Sequence, residues 1–355
     1  MTEISSVERV EMVLDGKVPD RVPVSLHNFL MTAQDSGLPF AEFLQSGEAM
    51  AEGQMKAWRE FGHDVLLLEN GTAALAEACG AEVEYLTNSA PVSHAPAIQS
   101  LDDIDKLRIP DPYQAHPLKE NLKATRIVAN EIGNQAFIIG RADQGPFSLA
   151  SMLVGIEKFL YALVNPDEAA KLHSLLSFCE EVVYRYAVAQ IEQGARLTSI
   201  GESLSGPDVC SPKTYKAYEW GYAKKLTERL KAKDIRLAYH ICGNATRIVT
   251  DMVETGAAIL ELDYKCDLSK IKAATLGKST ILGVLDPSGV LTFGQPEFVA
   301  QKTQEALAVL APNGGLIVGP GCGLPPITPP ANLYAMIETA HQYGRYLPDG
   351  QLAKP

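Results

Sequence analysis

Short apolar, β-branched runs recur along the chain, and each is followed by a polar or glycine-containing turn and a stretch with helical spacing. Strands that alternate with helices indicate parallel βαβ units, because parallel neighbours need a long crossover connection. Eight such units in 355 residues predict a closed (β/α)8 barrel. The predicted strands are residues 22–26, 65–68, 137–140, 197–200, 236–239, 258–262, 279–284 and 316–318.

We interpret residues 1–355 as a single barrel domain, since no linker or low-complexity tract interrupts the pattern. The segment before the first strand and the segment 79–135 are longer than a simple unit needs, which predicts N-terminal and inserted capping helices. A doubly wound open sheet is the competing fold. It is disfavoured because no Gly-x-Gly-x-x-Gly follows the first strand.

Charge and composition restrict the function. The chain carries 31 basic and 43 acidic residues, a net charge of −12, which argues against a nucleic-acid-binding protein. No apolar run approaches the roughly 18–20 residues that span a bilayer, and the N-terminus lacks the order of a secretory signal. We therefore expect a cytoplasmic protein without a membrane partner. The six cysteines are too sparse for a disulfide framework.

Polar and metal-binding residue types follow the predicted strands. In (β/α)8 barrels the chemistry takes place just beyond the C-terminal ends of the strands, so these positions are the candidates for an active site. They are occupied by His27, Asn28, Glu69, Asn70, Arg141, Asp143, Glu202, His240, Cys242, Asp263, Asp286 and Cys322.

Three of these residues form a candidate metal site. His240 and Cys242 are two apart at the end of the fifth strand, so both side chains point to one side if the chain stays extended. Cys322 follows the eighth strand between two glycines, where the backbone can turn sharply. Two sulfurs and one nitrogen favour zinc and leave a position open for substrate. Glu202 is the candidate fourth ligand, or a carboxylate behind the ligands.

A different interpretation needs no metal. A His-x-Cys spacing is weak evidence for a metal site by itself, and a core histidine with two buried cysteines would give the same sequence. Only the position of all three residues at predicted strand ends favours the metal.

Several blocks resemble uroporphyrinogen decarboxylase-like proteins, namely residues 16–24, 145–150, 283–287 and 324–333. The resemblance covers nearly the whole chain and implies a (β/α)8 barrel. The decarboxylases' arginine-containing block after the first strand is replaced by His27-Asn28-Phe29, and their catalytic aspartate block by Leu68-Glu69. A porphyrin with many carboxylates needs such arginines, so we do not expect porphyrin decarboxylation.

The departures instead resemble the zinc-dependent corrinoid methyltransferases of the same superfamily. Their His-x-Cys and distant glycine-flanked Cys match His240, Cys242 and Cys322, and Glu202 occupies their acidic position. The resemblance implies bound Zn²⁺, with Glu202 and His240 as catalytic residues. It also implies a corrinoid (cobalamin) cofactor carried by a separate partner protein, because the chain lacks a cobalamin-binding Asp-x-His-x-x-Gly block.

Two directions of methyl transfer fit such a site. Zinc can act as a Lewis acid on the ether oxygen of a methoxylated, aromatic methyl donor, or it can lower the pKa of an acceptor thiol. We expect the ether, because a sulfonate-bearing thiol such as coenzyme M would need an arginine cluster and mainly Arg141 is found. The candidate substrate-binding residues are His27, Asn28, Glu69, Asn70 and Arg141.

The thiol methyltransferase is the first alternative, and a porphyrin decarboxylase-like or non-enzymatic family member is the second. Absence of bound metal would favour the second. The sequence decides neither the methyl donor or acceptor nor the oligomeric state, and it leaves a homodimer open.

Overall fold

A computed structural model of the chain describes residues 4–69, 71–87 and 89–353. Its strands are β1 (Ser25–Leu26), β2 (Val65–Leu68), β3 (Glu82–Glu84), β4 (Val92–Ala95), β5 (Phe137–Gln144), β6 (Leu197–Glu202), β7 (Leu237–Ile241), β8 (Ile259–Leu262), β9 (Thr280–Leu285) and β10 (Leu316–Pro320). Its α-helices are α1 (Ser6–Leu14), α2 (Phe29–Ser36), α3 (Phe40–Leu44), α4 (Gly47–Phe61), α5 (Ala74–Ala78), α6 (His116–Ile132), α7 (Pro146–Val154), α8 (Ile156–Val164), α9 (Ala169–Glu192), α10 (Pro212–Tyr218), α11 (Trp220–Lys231), α12 (Val249–Glu254), α13 (Leu268–Thr275), α14 (Pro296–Leu310) and α15 (Pro330–Tyr343).

Eight of the strands form one parallel sheet in the order β1-β2-β5-β6-β7-β8-β9-β10. A parallel bridge between Val24 and Val318 joins the first strand to the last and closes the sheet into a barrel. The predicted (β/α)8 barrel is therefore confirmed, and the doubly wound open sheet is excluded.

The barrel interior follows the two-residue period of its strands. Leu197, Ala238, Ile259, Leu282 and Ile317 belong to one buried cluster, in which Val10 and Val13 of α1 also lie. The predicted N-terminal helix thus packs against the inner residues of the barrel. Because side chains alternate along a strand, the residues two positions further on also point inward, toward the C-terminal opening that we call the barrel mouth.

The inserted capping elements are also present. Helices α2, α3 and α4 separate β1 from β2, and an antiparallel hairpin of β3 and β4 lies between β2 and β5. A short 3₁₀ helix, Leu101–Lys106, and α6 complete this excursion.

No single helix in the described part of the chain is long and apolar enough to cross a bilayer. The consecutive helices α7 and α8, which are bent by 116° at their junction, reach that length and apolar composition only when they are taken together.

Protonation of His63 is expected to destabilise the fold. The imidazole is fully buried, and neither ring nitrogen has a hydrogen-bond partner. Burial lowers its pKa to about 4, whereas a histidine of the unfolded chain titrates near 6.5. As the pH falls through this window the unfolded state binds the proton first, so stability is lost.

We therefore expect the unfolding free energy to drop by about 2 kcal/mol more between pH 7 and pH 5 in the wild type than in His63→Phe. Urea unfolding of both proteins at the two pH values measures the difference. An equal pH dependence in the two proteins would show that His63 is not buried in its neutral form.

Candidate metal centre

His240 lies at the end of β7, and its two ring nitrogens contact different partners. Its Nδ1 lies 3.0 Å from the backbone carbonyl oxygen of Glu261, which can only accept, so Nδ1 carries the proton and donates it. Its Nε2 lies 3.1 Å from the Sγ of Cys242. The hydrogen bond from Nδ1 to the carbonyl turns Nε2 toward the sulfur, which is the orientation that metal-binding histidines show.

Cys322 reaches the same point from the loop after β10. A Cβ on the preceding residue, Gly321, would lie 2.9 Å from the backbone nitrogen of Tyr264 and 3.0 Å from the carbonyl oxygen of Leu262. Only glycine therefore allows this loop to approach β8 so closely. As a result, one ligand atom each from His240, Cys242 and Cys322 lie within 4.8 Å of one another.

The donor set fits a zinc ion. A hydrogen bond with Cys322 lowers the pKa of Cys242, and the same contact, together with burial, raises the pKa of Cys322 to about 12. The two sulfurs thus share a proton that a divalent metal can displace. One nitrogen and two sulfurs at this spacing suit tetrahedral zinc, with a fourth position left for a substrate atom.

The structure does not bring Glu202, the expected fourth ligand, together with these three residues. In the sheet register Gly201 pairs with His240, whereas Glu202 pairs with Ile241 and points outward to the helices. Its carboxylate accepts hydrogen bonds from the backbone N–H groups of Phe147 and Ser148, at 3.0 and 2.8 Å. Glu202 therefore caps the N-terminus of α7.

A second carboxyl group, that of Glu219, lies next to Glu202. Burial raises the pKa of Glu202 to about 7, and burial together with the charge of Glu202 raises the pKa of Glu219 well above its ordinary value. Tyr239 donates a hydrogen bond of 2.8 Å to Glu219. We assign these residues to the packing of helices against the barrel.

Four charged side chains form an ion cluster in the mouth. The imidazole of His27 contacts Glu69 Oε2 through Nε2 at 2.7 Å and Glu261 Oε1 through Nδ1 at 3.1 Å. Arg141 Nη1 lies 3.0 Å from Glu261 Oε2, and its Nε lies 3.7 Å from Glu69. Three members, His27, Glu69 and Arg141, are residues that the sequence predicted for substrate binding. The structure brings them together.

The charges in this ion cluster balance. Burial alone would lower the pKa of His27, but Glu69 and Glu261 together raise it to about 10, so His27 is a cation at neutral pH. Burial opposes ionisation of Glu261, yet the positive charges of Arg141 and His27 hold its pKa well below the usual range. Two cations therefore face two acidic side chains.

Glu261 was missed by the sequence analysis. It lies inside a predicted strand, in register with His240, and its Oε2 is 3.8 Å from His240 Nδ1. The strand bodies were expected to be apolar. The signal was nevertheless present, because an inward-facing glutamate between Leu260 and Leu262 has no place in an apolar barrel core.

The remaining substrate candidates differ. Asn28 is 1% exposed, and neither side-chain amide atom has a hydrogen-bond partner in the structure. Such a buried, unpartnered amide needs an explanation, and a bound polar group is one. Asn70 lies outside the described residues.

A cleft of about 700 Å³ lies between β4, α7 and the loop after β6. Ser203 lines it, hydrogen-bonds Gln144 Oε1 at 3.2 Å, and lowers the pKa of Cys242 through a further hydrogen bond. The cleft is also lined by Ser148 and Ser151. Ser203 is therefore the residue that connects this cleft with Cys242, whereas the three candidate ligands are not among its lining residues.

Comparison with known proteins places this architecture. A family model described as uroporphyrinogen decarboxylase (URO-D) matches residues 5–343. The chain belongs to the uroporphyrinogen decarboxylase family. Within that family it is 30% identical to the methylcobamide:CoM methyltransferase MtbA of Methanosarcina acetivorans, over 97% of this chain and 99% of the relative. It is 27% identical to a uroporphyrinogen decarboxylase of a Synechococcus species, over 94% and 97%.

A solved structure confirms the fold of this family member. It is a methyltransferase from Methanosarcina mazei with a TM-score of 0.86 and 24% identity, covering 96% of this chain and 99% of that one. The names of these relatives do not support the methoxylated aromatic substrate. CoM is a thiol, so the methylcobamide:CoM relatives favour the thiol alternative.

Proposed function

We propose that this protein transfers a methyl group from a methylated corrinoid protein to a thiol, with zinc held by His240, Cys242 and Cys322. One observation carries the proposal: these three soft ligand atoms lie within 4.8 Å of one another at the barrel mouth of a chain similar to methylcobamide:CoM methyltransferases. Those relatives act on a corrinoid methyl donor and a thiol, as their names state.

The chain's own residues prepare the site for a metal. The Glu261 carbonyl orients His240, and the Gly321 turn places Cys322 opposite Cys242. Zinc bound there would lower the pKa of a thiol that takes the open position, so that its thiolate is present at neutral pH. Ser203, which lines the cleft and hydrogen-bonds Cys242, marks the side from which the thiol would approach this position.

The chemistry is a displacement at carbon. The thiolate sulfur forms a bond to the methyl carbon, and the carbon–cobalt bond of the corrinoid breaks with its electron pair left on cobalt. The thiol proton leaves to solvent. The protein's contribution is to orient the sulfur in line with the methyl group, because positioning two reactants supplies much of the rate.

An assay that offers both substrate classes tests this proposal. Zinc-loaded protein is incubated with methylcobalamin and 2-mercaptoethanol in one arm, and with reduced cobalamin and a methoxyphenol in the other. We expect the methyl thioether to form in the first arm, detected by mass spectrometry, and at least tenfold less of it after zinc is removed by a chelator. Demethylation of the methoxyphenol without any thioether would contradict the proposal and restore the ether as substrate.

A further inference from the structure

The ion cluster in the barrel mouth bears on the charge of the thiol, and this inference rests on the proposed function. A thiol such as 2-mercaptoethanesulfonate has an anionic tail that must be buried close to the metal centre. Burying an anion is costly unless a free cation or several hydrogen-bond donors receive it. An anionic tail therefore needs a mouth residue whose positive charge is not already neutralised by an acidic side chain.

Both buried cations of the mouth are already neutralised. Arg141 and His27 each lie close to Glu261 and Glu69, and all four side chains are at most 7% exposed. The thiolates of Cys242 and Cys322 would likewise balance the charge of a divalent metal held between them. The mouth, as far as it is described, therefore offers an anionic tail no uncompensated positive charge.

The other groups that can be cationic on the cleft lie at its outer surface. Lys158 is exposed and donates to the carbonyl oxygen of Gln99 at 2.5 Å. The side chain of His94, on β4, is 68% exposed and lies 4.0 Å from Glu84. Neither is desolvated, so an ion pair with either contributes little.

The inner lining has a different character. Gln144, Ser148, Ser151 and Ser203 present hydroxyl and amide groups to the cleft, and Ser203 among them hydrogen-bonds Cys242. Buried Asn28 has an amide without a partner. These groups donate and accept hydrogen bonds without carrying charge. We infer that the acceptor is a thiol with an uncharged, hydrogen-bonding tail rather than a sulfonate or carboxylate.

The test compares two thiols of similar size, 2-mercaptoethanol and 2-mercaptoethanesulfonate, with methylcobalamin as donor and zinc-loaded protein. We expect kcat/KM to be at least tenfold higher for 2-mercaptoethanol. Calorimetric titration of the same protein with each thiol should show the same order of Kd without any turnover. A higher kcat/KM or tighter binding for the sulfonate would overturn the inference while leaving the proposed function intact.

A variant tests whether the pairing of Arg141 and His27 with acidic side chains causes this preference for an uncharged thiol. Glu69→Gln removes one acidic partner of Arg141 and His27 and should shift the ratio of the two kcat/KM values toward the sulfonate at least threefold. Glu305→Gln makes the same charge change on the exposed surface of α14, away from the residues that line the cleft, and should leave the ratio as it is. An unchanged ratio in Glu69→Gln would overturn the explanation by paired charges. If neither thiol is methylated by the wild type, the proposed function itself fails.

Discussion

Cys322→Ala is expected to lose at least 100-fold in zinc affinity and at least 100-fold in methyl transfer to a thiol. The substitution removes one of only two sulfurs that the site offers, while His240 and Cys242 remain in place on β7. A metal site reduced to two protein ligands binds weakly, and a thiol without the metal is mostly protonated at neutral pH. Zinc per chain after dialysis, measured by elemental analysis, reports the first effect, and the methylcobalamin assay reports the second.

Cys210→Ala is the matched control for this variant. Cys210 is also a free cysteine, buried where Cys322 is partly buried, and it lies outside the set of three. It should retain zinc and activity close to those of the wild type. One equivalent of zinc retained in Cys322→Ala would show that the metal is held by residues other than Cys322.

Glu261→Gln is expected to lower the free energy of unfolding by about 3 kcal/mol at pH 7, because it leaves two buried cations with one acidic partner. Both carboxylate oxygens of Glu261 are engaged, one by His27 and one by Arg141. Urea unfolding of zinc-free protein isolates this effect from metal binding. The amide keeps the shape of the side chain, so the loss reports charge rather than packing.

A control variant makes this result interpretable. Glu84→Gln, on the exposed hairpin, should change the unfolding free energy by less than about 0.5 kcal/mol. A loss below about 1 kcal/mol in Glu261→Gln would mean that the ion cluster does not hold the mouth together.

The fold was predictable because it depends on a pattern that the whole chain repeats. Apolar runs located all eight barrel strands, including 65–68 and its neighbours. The C-terminal strand ends were not predictable in the same way. β5 continues beyond residue 140 to Gln144 and β6 to Glu202. These extensions are polar, and they are strand only because the closed barrel pairs and buries them.

The candidate metal centre was also predictable only in part. His240, Cys242 and Cys322 were found from residue type and position, and the structure brings them together. Glu202 is not grouped with them, because it is one residue beyond Gly201 and its side chain turns to the outer face, and this register is set by pairing with β7. Glu261 was missed because one charged residue inside an apolar run was counted as strand.

The charge balance of the mouth could not be obtained from the sequence. Arg141 and Glu261 are 120 residues apart, and His27 and Glu261 are 234 apart. Contacts over such distances follow from barrel closure. The sequence suggested that Arg141 was the main cation for a substrate, and the structure shows that its charge is shared between two acidic side chains.

The most direct test of the central claim is X-ray absorption at the zinc edge of the purified wild-type protein, with and without 2-mercaptoethanol. We predict near one zinc per chain, with two sulfur neighbours at about 2.3 Å that increase to three when the thiol is added. Protein prepared without chelators that contains no zinc, or a zinc ion whose sulfur neighbours do not change with the thiol, would contradict the account.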